Sequence, residues 1–350
     1  MKAPRDLQRD VPLAPRTTLE LGGPAELFLE ARSLEALQAA MRWAEGEGHP
    51  VTFLGGGSNA IVPDEGVRGL VVAMATRGVE VTRKDADTVH VRAQAGEDWG
   101  AFVSRAVGEG WAGVECLAGI PGQVGSTPIQ NVGAYGQDVS HTVVRVGCID
   151  RLSGERVERS AEECAFRYRD SDFKRHPGRF VVTDVTFALR EGGSPLLTYR
   201  ELVERAPSAP SLEAVRALVV DLRRAKSMVL DPTDPNRRSA GSFFTNPIVD
   251  AEQAAAVAAI AARRELGPVP EWPAEGGVKL SAGWLIERAG FPKGSRRGPV
   301  GLSTKHALAV VHHGGGTTAE LLAFGEAIAA AVRNEFGVTL EREPRLLGCD

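Results

Sequence analysis

Apolar positions in the first half of the chain follow helical and strand spacing in turn. Residues 34–44 carry apolar side chains at helical spacing, and Ser33 stands where it can cap that helix. A short apolar run at 51–54 predicts a buried strand, and alternation at 89–95 predicts a half-buried one. A further helix is predicted over 98–107. Strands that alternate with helices in this way indicate an α+β fold.

The second half of the chain is richer in helices. Residues 206–210 include two prolines and a serine, which favours a linker. Apolar stripes at helical spacing follow at 212–222 and 251–264. Residues 317–320 read TTAE, a capping-box sequence before a last helix that Gly337 closes. We therefore predict a domain boundary near residue 205.

Glycine-rich segments interrupt this pattern. Residues 55–60 fit G-x-G-x-x-A after a strand, but Pro63 and Gly66 prevent the helix that a Rossmann turn requires. The N–H groups of this loop can still bind a pyrophosphate. Residues 111–140 form a longer run of glycine, proline and small polar residues whose apolar anchors favour a functional loop over a linker. Residues 314–319 also fit the first pattern, but the capping box favours a strand-to-helix turn.

Composition argues against several classes of function. The 350 residues are 43% apolar, and 41 basic and 45 acidic side chains give a formal net charge of -4 without a basic tract for nucleic acid. No segment approaches the roughly 20 apolar residues of a membrane span, and the charged start is unlike a signal peptide. We therefore expect a cytoplasmic protein with no nucleic-acid or membrane partner, and we take a monomer as the expected state.

Cysteine and histidine spacing argues against a metal site. The adjacent His312 and His313 point to opposite faces of a strand, and no H-x-x-x-H spacing accompanies them. The cysteines form no C-x-x-C pair, so we expect mostly small buried residues rather than zinc ligands or disulfides. They are Cys116, Cys148, Cys164 and Cys349.

Two further segments carry charged or small polar side chains. Residues 166–174 set Arg169 among aromatic and acidic residues, a pattern that a surface salt-bridge cluster also explains. Residues 231–247 join a turn-rich lead to a small-residue segment with Ser239 and Ser242. A loop closing over two core phenylalanines explains that pattern equally well. Neither segment alone identifies a reaction.

Together, these segments resemble the UDP-N-acetylenolpyruvoylglucosamine reductase family, commonly called MurB. The match runs from about Thr17 to Gly348, and PLLTYR at 195–200 is similar to the tyrosine-bearing loop of the branch called type I. The five signatures, in family order, are LGGGSN at 54–59, IPGQVGSTPIQNVGAYG at 120–136, FRYRDSDFK at 166–174, SAGSFFTNP at 239–247 and LEREPRLLG at 340–348.

The resemblance implies a domain organisation as well as a fold class. Residues 1–205 would form an FAD-binding region of the PCMH, or vanillyl-alcohol-oxidase, type, in two subdomains that divide near residue 70. Residues 206–325 would form an α+β substrate-binding domain. Residues 326–350 would return to the flavin site.

The resemblance also implies a reaction and the residues that perform it. Hydride would pass from NADPH to non-covalently bound FAD and then to the enolpyruvyl ether of UDP-N-acetylglucosamine, giving UDP-N-acetylmuramate for peptidoglycan synthesis. Arg169 and Glu343 would flank the substrate carboxylate, and Ser242 would donate a proton. The implied FAD contacts are Gly55, Gly56, Gly57, Ser58, Asn59, Gly122, Gly125, Ser126, Thr127, Ile129 and Gly133. The implied substrate contacts are Tyr199, Lys226, Asn246 and either Lys305 or His306.

Two other functions compete with this interpretation. Another PCMH-type flavin oxidoreductase, acting on a different small substrate, would share the first region but would not need the segment 239–247. A nucleotide-sugar-binding protein without catalysis would keep phosphate contacts and could lose Ser242, Arg169 or Glu343. Since all of these are present, the sequence favours the reductase.

Overall fold

Residues 3–348 are described by the computed structural model, so Cys349 lies outside the described residues. The strands are β1 (Gln8–Pro12), β2 (Pro24–Ala31), β3 (Val51–Leu54), β4 (Ala60–Ile61), β5 (Val67–Met74), β6 (Val79–Asp85), β7 (Thr88–Gln94), β8 (Trp111–Ala112), β9 (Gly133–Ala134), β10 (Gln137–Asp138), β11 (Val143–Asp150), β12 (Arg156–Ser160), β13 (Phe180–Glu191), β14 (Ile248–Val249), β15 (Glu271–Ala274), β16 (Gly277–Leu280), β17 (Arg296–Arg297), β18 (Val300–Leu302), β19 (Val310–His312) and β20 (Arg345–Leu346). The α-helices are α1 (Leu34–Gly46), α2 (Trp99–Gly108), α3 (Ala161–Cys164), α4 (Asp172–Arg175), α5 (Arg200–Arg205), α6 (Leu212–Ala225), α7 (Ala251–Arg263), α8 (Ala282–Arg288) and α9 (Thr318–Phe336).

Side-chain caps start the helices where the sequence predicts them. The Ser33 hydroxyl accepts from the Ala36 N–H at 3.1 Å at the start of α1. Thr317 and Glu320 form a capping box at the start of α9, and Gly337 ends that helix with φ 69°. The predicted α+β fold is confirmed, and the loop after β3 leads to β4 rather than to a Rossmann helix.

Two sheets organise the first half of the molecule. The first has the order β1-β2-β5-β3, with β5 parallel to both of its neighbours. The second has six antiparallel strands in the order β12-β11-β13-β7-β6, with β8 also pairing with β13. Because β5 continues to Met74 and β6 begins at Val79, the two sheets divide a few residues after the predicted position near 70.

Helix α6 packs with the first region rather than with the second. Its buried apolar stripe, from Leu212 to Leu222, belongs to the same hydrophobic core as α2 and the six-stranded sheet. Residues from Ala240 onward enter a different core. The core therefore changes between Leu222 and Ala240, later than the boundary predicted at 205, because the α6 stripe buries its apolar surface against the first region. We propose the domain boundary there.

The division predicted at residue 326 falls within helix α9. Helix α9 runs through that position and buries Leu321, Ile328 and Val332 in the second core, so residue 326 is interior to one element. After the helix, β20 pairs in parallel with β4. The chain thus returns to the glycine-rich loop through residues 338–347. Within residues 3–348, no helix combines the length and apolar character needed to cross a membrane.

Candidate functional site

A cleft lies where the two glycine-rich loops meet the segments that carry Arg169, Ser242 and Glu343. Its volume is about 1310 Å³ when the solvent at its mouth is included. The predicted FAD contacts that line it are Gly55, Gly56, Gly57, Ser58, Asn59, Gly122, Ser126, Thr127, Ile129 and Gly133. Local motifs therefore identified most of this surface.

The two loops touch through residues without bulky side chains. A Cβ added to Gly56 would lie 2.8 Å from the Gly122 Cα, so only glycine allows this approach. The Ser58 hydroxyl donates to the Pro121 carbonyl at 2.8 Å and ties the loops together. The backbones of both loops consequently form much of the cleft wall.

Gly125, also predicted as an FAD contact, is not among the residues that line the cleft. Its N–H donates to the Ala95 carbonyl at 2.9 Å. A Cβ at this position would lie 2.5 Å from the Ala95 Cβ. Gly125 therefore lets the second loop pack against the end of β7.

Arg169 is held in the cleft by backbone contacts. Its Nη2 donates to the Gly133 carbonyl at 2.6 Å, and its own carbonyl accepts from Lys174 Nζ at 2.8 Å. The residue has φ 52°, a left-handed conformation that is unusual outside glycine. Its neighbours are tied to the second loop, since Asn131 Nδ2 donates to the Arg167 carbonyl at 3.0 Å. The guanidinium is thereby fixed in position.

Glu343 lies between Arg169 and the Ser242 segment. Arg169 Nε lies 3.2 Å from Glu343 Oε1. The Glu343 N–H donates to the Phe243 carbonyl at 2.9 Å, which joins the two segments directly beside Ser242. Burial raises the pKa of the Glu343 carboxyl, and the positive charges of Arg169 and Lys174 oppose this rise. A guanidinium, a carboxyl group and the segment that carries a serine hydroxyl thus share one wall of the cleft.

Tyr199 and Lys226 lie together in a second cluster with Tyr135. The rings of Tyr135 and Tyr199 are edge to face, with centroids 5.2 Å apart, and Lys226 Nζ lies 5.6 Å from the Tyr135 ring centroid. Lys226 Nζ also contacts Glu201 Oε2 at 2.9 Å. Sequence reasoning did not single out Tyr135, although it is part of the NVGAYG segment.

His306 presents a neutral imidazole beside this cluster. Burial lowers its pKa to about 4, and the charges of Lys226, Arg223 and Lys293 act in the same direction. Its Nδ1 accepts from the Leu308 N–H at 3.1 Å, so the neutral ring carries its proton on Nε2. Lys305 contacts Asp234 at 3.4 Å instead. Of the two alternatives, His306 is the one that interacts with Lys226.

Asn246 accepts a hydrogen bond at the start of α8. Its Oδ1 accepts from the Ala282 N–H at 3.0 Å, and it is absent from the residues that line the cleft. The structure therefore gives Asn246 a local structural contact, while only its amide NH₂ group remains available to donate to a ligand.

The sequence did not predict that Arg223 lines the cleft or that the lining is mainly basic. Among the residues described, Glu343 is the one acidic side chain lining the cleft, whereas Arg169, Arg223 and Arg345 are basic. Arg223 precedes Lys226 by three positions at the end of α6, a spacing that puts both on one helical face. A positive cleft with exposed loop backbone suits an anionic dinucleotide.

Metal and thiol chemistry find no support in the described part of the chain. It holds no group of three or more metal-ligating side chains. Cys116, Cys148 and Cys164 are buried, as predicted, and burial raises the pKa of each thiol to about 12. These thiols are therefore protonated at neutral pH.

Comparisons with known proteins agree with this architecture. A model of an FAD binding domain matches residues 25–160, and a model of the UDP-N-acetylenolpyruvoylglucosamine reductase C-terminal domain matches residues 232–347. The chain is 50% identical to the Thermobifida fusca protein of that reductase name, over 97% of this chain and 98% of that one. It is 49% identical to the Streptomyces coelicolor protein of the same name, over 97% and 90%.

A solved structure extends the match to the fold. The UDP-N-acetylenolpyruvylglucosamine reductase (MurB) of Thermus caldophilus is 26% identical, with a TM-score of 0.65 over 97% of this chain and 98% of that one. The FAD-binding fold with a following α+β domain is therefore confirmed. Full-length identity of this order, together with both domain models, shows that the chain belongs to the UDP-N-acetylenolpyruvoylglucosamine reductase family.

Proposed function

We propose that this chain reduces the enolpyruvyl ether of UDP-N-acetylglucosamine to UDP-N-acetylmuramate in the cytoplasm, with NADPH as hydride source and non-covalent FAD as carrier. The observation that carries the proposal is the shared wall of Arg169, Glu343 and Ser242. The Arg169–Glu343 contact of 3.2 Å and the Glu343–Phe243 backbone bond of 2.9 Å bring these residues together from three distant segments.

The cleft residues fit FAD by their chemistry. The contact between Gly56 and Gly122 leaves backbone N–H groups, rather than side chains, to bind a pyrophosphate. No histidine or cysteine lines the described cleft, which supports non-covalent binding. When bound, FAD supplies a hydride acceptor for NADPH and a hydride donor for the terminal carbon of the enolpyruvyl group.

Ser242 and Arg169 interact with the negative charge that this reduction creates on the substrate. Hydride at the terminal carbon leaves an electron pair on the α-carbon, delocalised into the adjacent carboxylate. The fixed guanidinium of Arg169 stabilises that enolate, and the Ser242 hydroxyl delivers a proton to the α-carbon. The serine oxygen then regains its proton from solvent. Since an ordinary serine is a weak acid, this transfer requires a strongly basic carbanion in a dry site.

Glu343 holds Arg169 and would repel the enolate if it were ionised. Burial already raises the pKa of this carboxyl, and a substrate carboxylate would add a second negative charge nearby. A neutral Glu343 in the reactive complex would avoid this repulsion. In that state it still accepts a hydrogen bond from Arg169.

The Tyr199, Lys226 and His306 cluster supplies donors for the UDP diphosphate. Lys226 provides a point charge, the Tyr199 hydroxyl a neutral donor, and His306 its Nε2–H. Because Glu201 contacts Lys226 at 2.9 Å, a bound diphosphate must compete with that carboxylate. Asn246 would add its amide N–H groups.

Visible absorbance tests the proposal directly. The purified protein should show the bands of oxidised flavin, NADPH under anaerobic conditions should bleach them, and the enolpyruvyl substrate should restore them. UDP-N-acetylglucosamine, which lacks the enolpyruvyl group, serves as the control and should restore nothing. A colourless protein that binds no added FAD, or a bleached one that the substrate does not reoxidise, would refute the proposal.

A further inference from the structure

Asn236 is a buried amide on the segment that joins the two hydrophobic cores. It lies between Leu222 in the first core and Ala240 in the second, and it is 2% exposed. Its Nδ2 donates to Thr304 Oγ1 at 3.1 Å and lies 3.3 Å from Ser227 Oγ. Its Oδ1 accepts from the Thr304 N–H at 3.0 Å. This side chain therefore bridges the turn after α6 and the loop between β18 and β19.

The two bridged segments carry the proposed diphosphate donors. Ser227 follows Lys226 directly and has a left-handed φ of 56°, as is common just beyond the end of a helix. Thr304 precedes His306 by two residues, and the buried Ser303 hydroxyl accepts from the His306 N–H at 3.3 Å. The positions of Lys226 and His306 thus depend on the two bridged segments.

The bridge matters because Lys226 and His306 come from different cores. Helix α6 packs in the first core, whereas β18 and β19, which flank the loop with His306, pack in the second. Packing within one core does not by itself fix the distance between the two side chains. A buried amide that loses its partners leaves polar groups unpaired at a cost of about 1–3 kcal/mol. The Asn236 bonds therefore resist displacement of one segment from the other.

A second contact from the same segment holds the loop between β18 and β19. The Asp234 carboxylate accepts from the Asn236 N–H at 2.8 Å and lies 3.4 Å from Lys305 Nζ. Lys305 is the residue between Thr304 and His306. The segment around Asn236 consequently contacts this loop at two successive residues.

We infer that Asn236 is a positioning residue for the diphosphate site, because it sets Lys226 and His306 at the separation that one UDP diphosphate spans. This inference rests on the proposed function. The Asn236 amide acts through its neighbours and does not contact the substrate, since Thr304 and Ser227 use its polar atoms. A site ordered in advance binds its ligand without the cost of ordering two independent segments.

Isothermal titration of the FAD-bound protein with UDP-N-acetylmuramate, the proposed product, tests this role. Asn236→Leu removes both polar ends of the bridge at similar volume. Thr304→Val removes one acceptor and keeps the backbone bond at 304, so it is the milder change. Gln253→Leu is the matched control, because the Gln253 Nε2 donates to the Gly337 carbonyl at 2.8 Å and joins α7 to the end of α9, outside the cleft lining.

We expect Asn236→Leu to weaken UDP-N-acetylmuramate binding about tenfold and Thr304→Val to weaken it a few-fold, as for residues that act through one another. The affinity for FAD should not change. Gln253→Leu should bind UDP-N-acetylmuramate like the wild type. Melting temperatures of all variants show which of them fold.

A double-mutant cycle with Lys226→Met separates positioning from a general structural effect. In the Lys226→Met background, Asn236→Leu should weaken binding by less than about threefold more, because the lysine that it positions is already absent. A general structural effect would cause the same tenfold loss in both backgrounds. If Asn236→Leu does not fold, Thr304→Val in the same cycle decides the question.

Wild-type affinity in the folded variants at 236 and 304 overturns the inference. An equal loss in the two backgrounds also overturns it, since Asn236 would then act independently of Lys226. A wild-type protein that does not bind UDP-N-acetylmuramate refutes the proposed function itself. This result is distinct from normal binding by the wild type with unaltered affinity in Asn236→Leu.

Discussion

Arg169 Nε and Glu343 Oε1 lie 3.2 Å apart, an ion pair formed between the loop that joins α3 to α4 and the returning end of the chain. The pair is mostly buried, with side chains 25% and 11% exposed. Arg169 has a left-handed φ of 52°. Backbone strain of this kind persists where surrounding contacts fix it, and here those contacts position the guanidinium.

The raised pKa of Glu343 gives a pH-dependent stability. Because burial favours the protonated form, Glu343 supports folding at or below the ordinary glutamate pKa of about 4.3, and this support is lost as the pH rises through the folded-state pKa. Glu343→Gln should therefore gain melting temperature relative to the wild type as the pH increases from 4.5 to about 8. Calorimetry across this range measures the difference.

A second variant, for which we expect the opposite pH dependence of stability, is the control for that experiment. The Ser160 N–H lowers the pKa of Glu163, so this carboxylate supports folding above its unfolded-state pKa and loses that contribution on acidification. Glu163→Gln should therefore become relatively less stable as the pH rises. The assignment is contradicted if the difference in melting temperature between Glu343→Gln and the wild type does not change with pH. It is also contradicted if that difference changes in the same direction as for Glu163→Gln.

Ser242→Ala should separate the two half-reactions. The serine is proposed to act only on the substrate carbanion, so NADPH should still reduce the flavin at a near-normal rate. Reoxidation by the enolpyruvyl substrate should slow about 10²- to 10⁴-fold, and more substrate should not restore it. Stopped-flow absorbance follows each step. Ser208→Ala, at an exposed serine, is the control.

Either of two outcomes would reassign Ser242. Reoxidation at the wild-type rate would mean that another group, such as a water molecule held by Glu343 or Asn246, donates the proton. Loss of flavin reduction by NADPH would place the serine in cofactor or nicotinamide positioning.

Lys226 and Glu201 should affect substrate affinity in opposite directions. Lys226→Met removes a charged diphosphate contact and should weaken UDP-sugar binding about 10- to 100-fold with a smaller effect on turnover. Glu201→Gln removes the competing carboxylate, 2.9 Å from Lys226, and should tighten binding a few-fold, as expected for a partly exposed pair. Isothermal titration measures both.

The Lys84–Glu191 pair provides a control for charge removal elsewhere. Lys84 contacts Glu191 at 2.6 Å on an exposed sheet edge, so Lys84→Met should leave UDP-sugar affinity unchanged. Normal affinity together with a collapsed turnover in Lys226→Met would show that the lysine acts in the chemical step rather than in binding.

Gly56→Ala should reduce FAD affinity at least tenfold. The new methyl group would lie 2.8 Å from the Gly122 Cα and force the two loops apart. Gly48→Ala is the control, because Gly48 has φ 72° with no neighbour within 4 Å of an added Cβ. That variant should lose about 1–2 kcal/mol of stability from its backbone conformation alone and keep its FAD affinity. Fluorescence titration of the apoprotein compares the two. Wild-type affinity in Gly56→Ala would exclude the loop contact as a determinant of binding.

The sequence by itself determined the local elements and most of the cleft surface. The helix starts at Ser33 and Thr317 depend on hydrogen bonds to residues three positions away. A short stretch of sequence is therefore enough to predict them. The missing helix after residues 55–60 follows from Pro63 and Gly66 in the same way. The ordered family motifs then identified the residues now found around the cleft.

Tertiary packing alone decided the remaining features. The periodicity of α6 shows that one face is apolar but not which core receives it, and so we propose the boundary between Leu222 and Ala240 rather than near 205. Gly125 belongs to a glycine-rich motif, and only the folded chain shows its close contact with Ala95. Arg223 is buried beside Gly119, which approaches it only in the folded chain. Burial and long-range contact are properties of the assembled surfaces, and neither is encoded in the local spacing of residues.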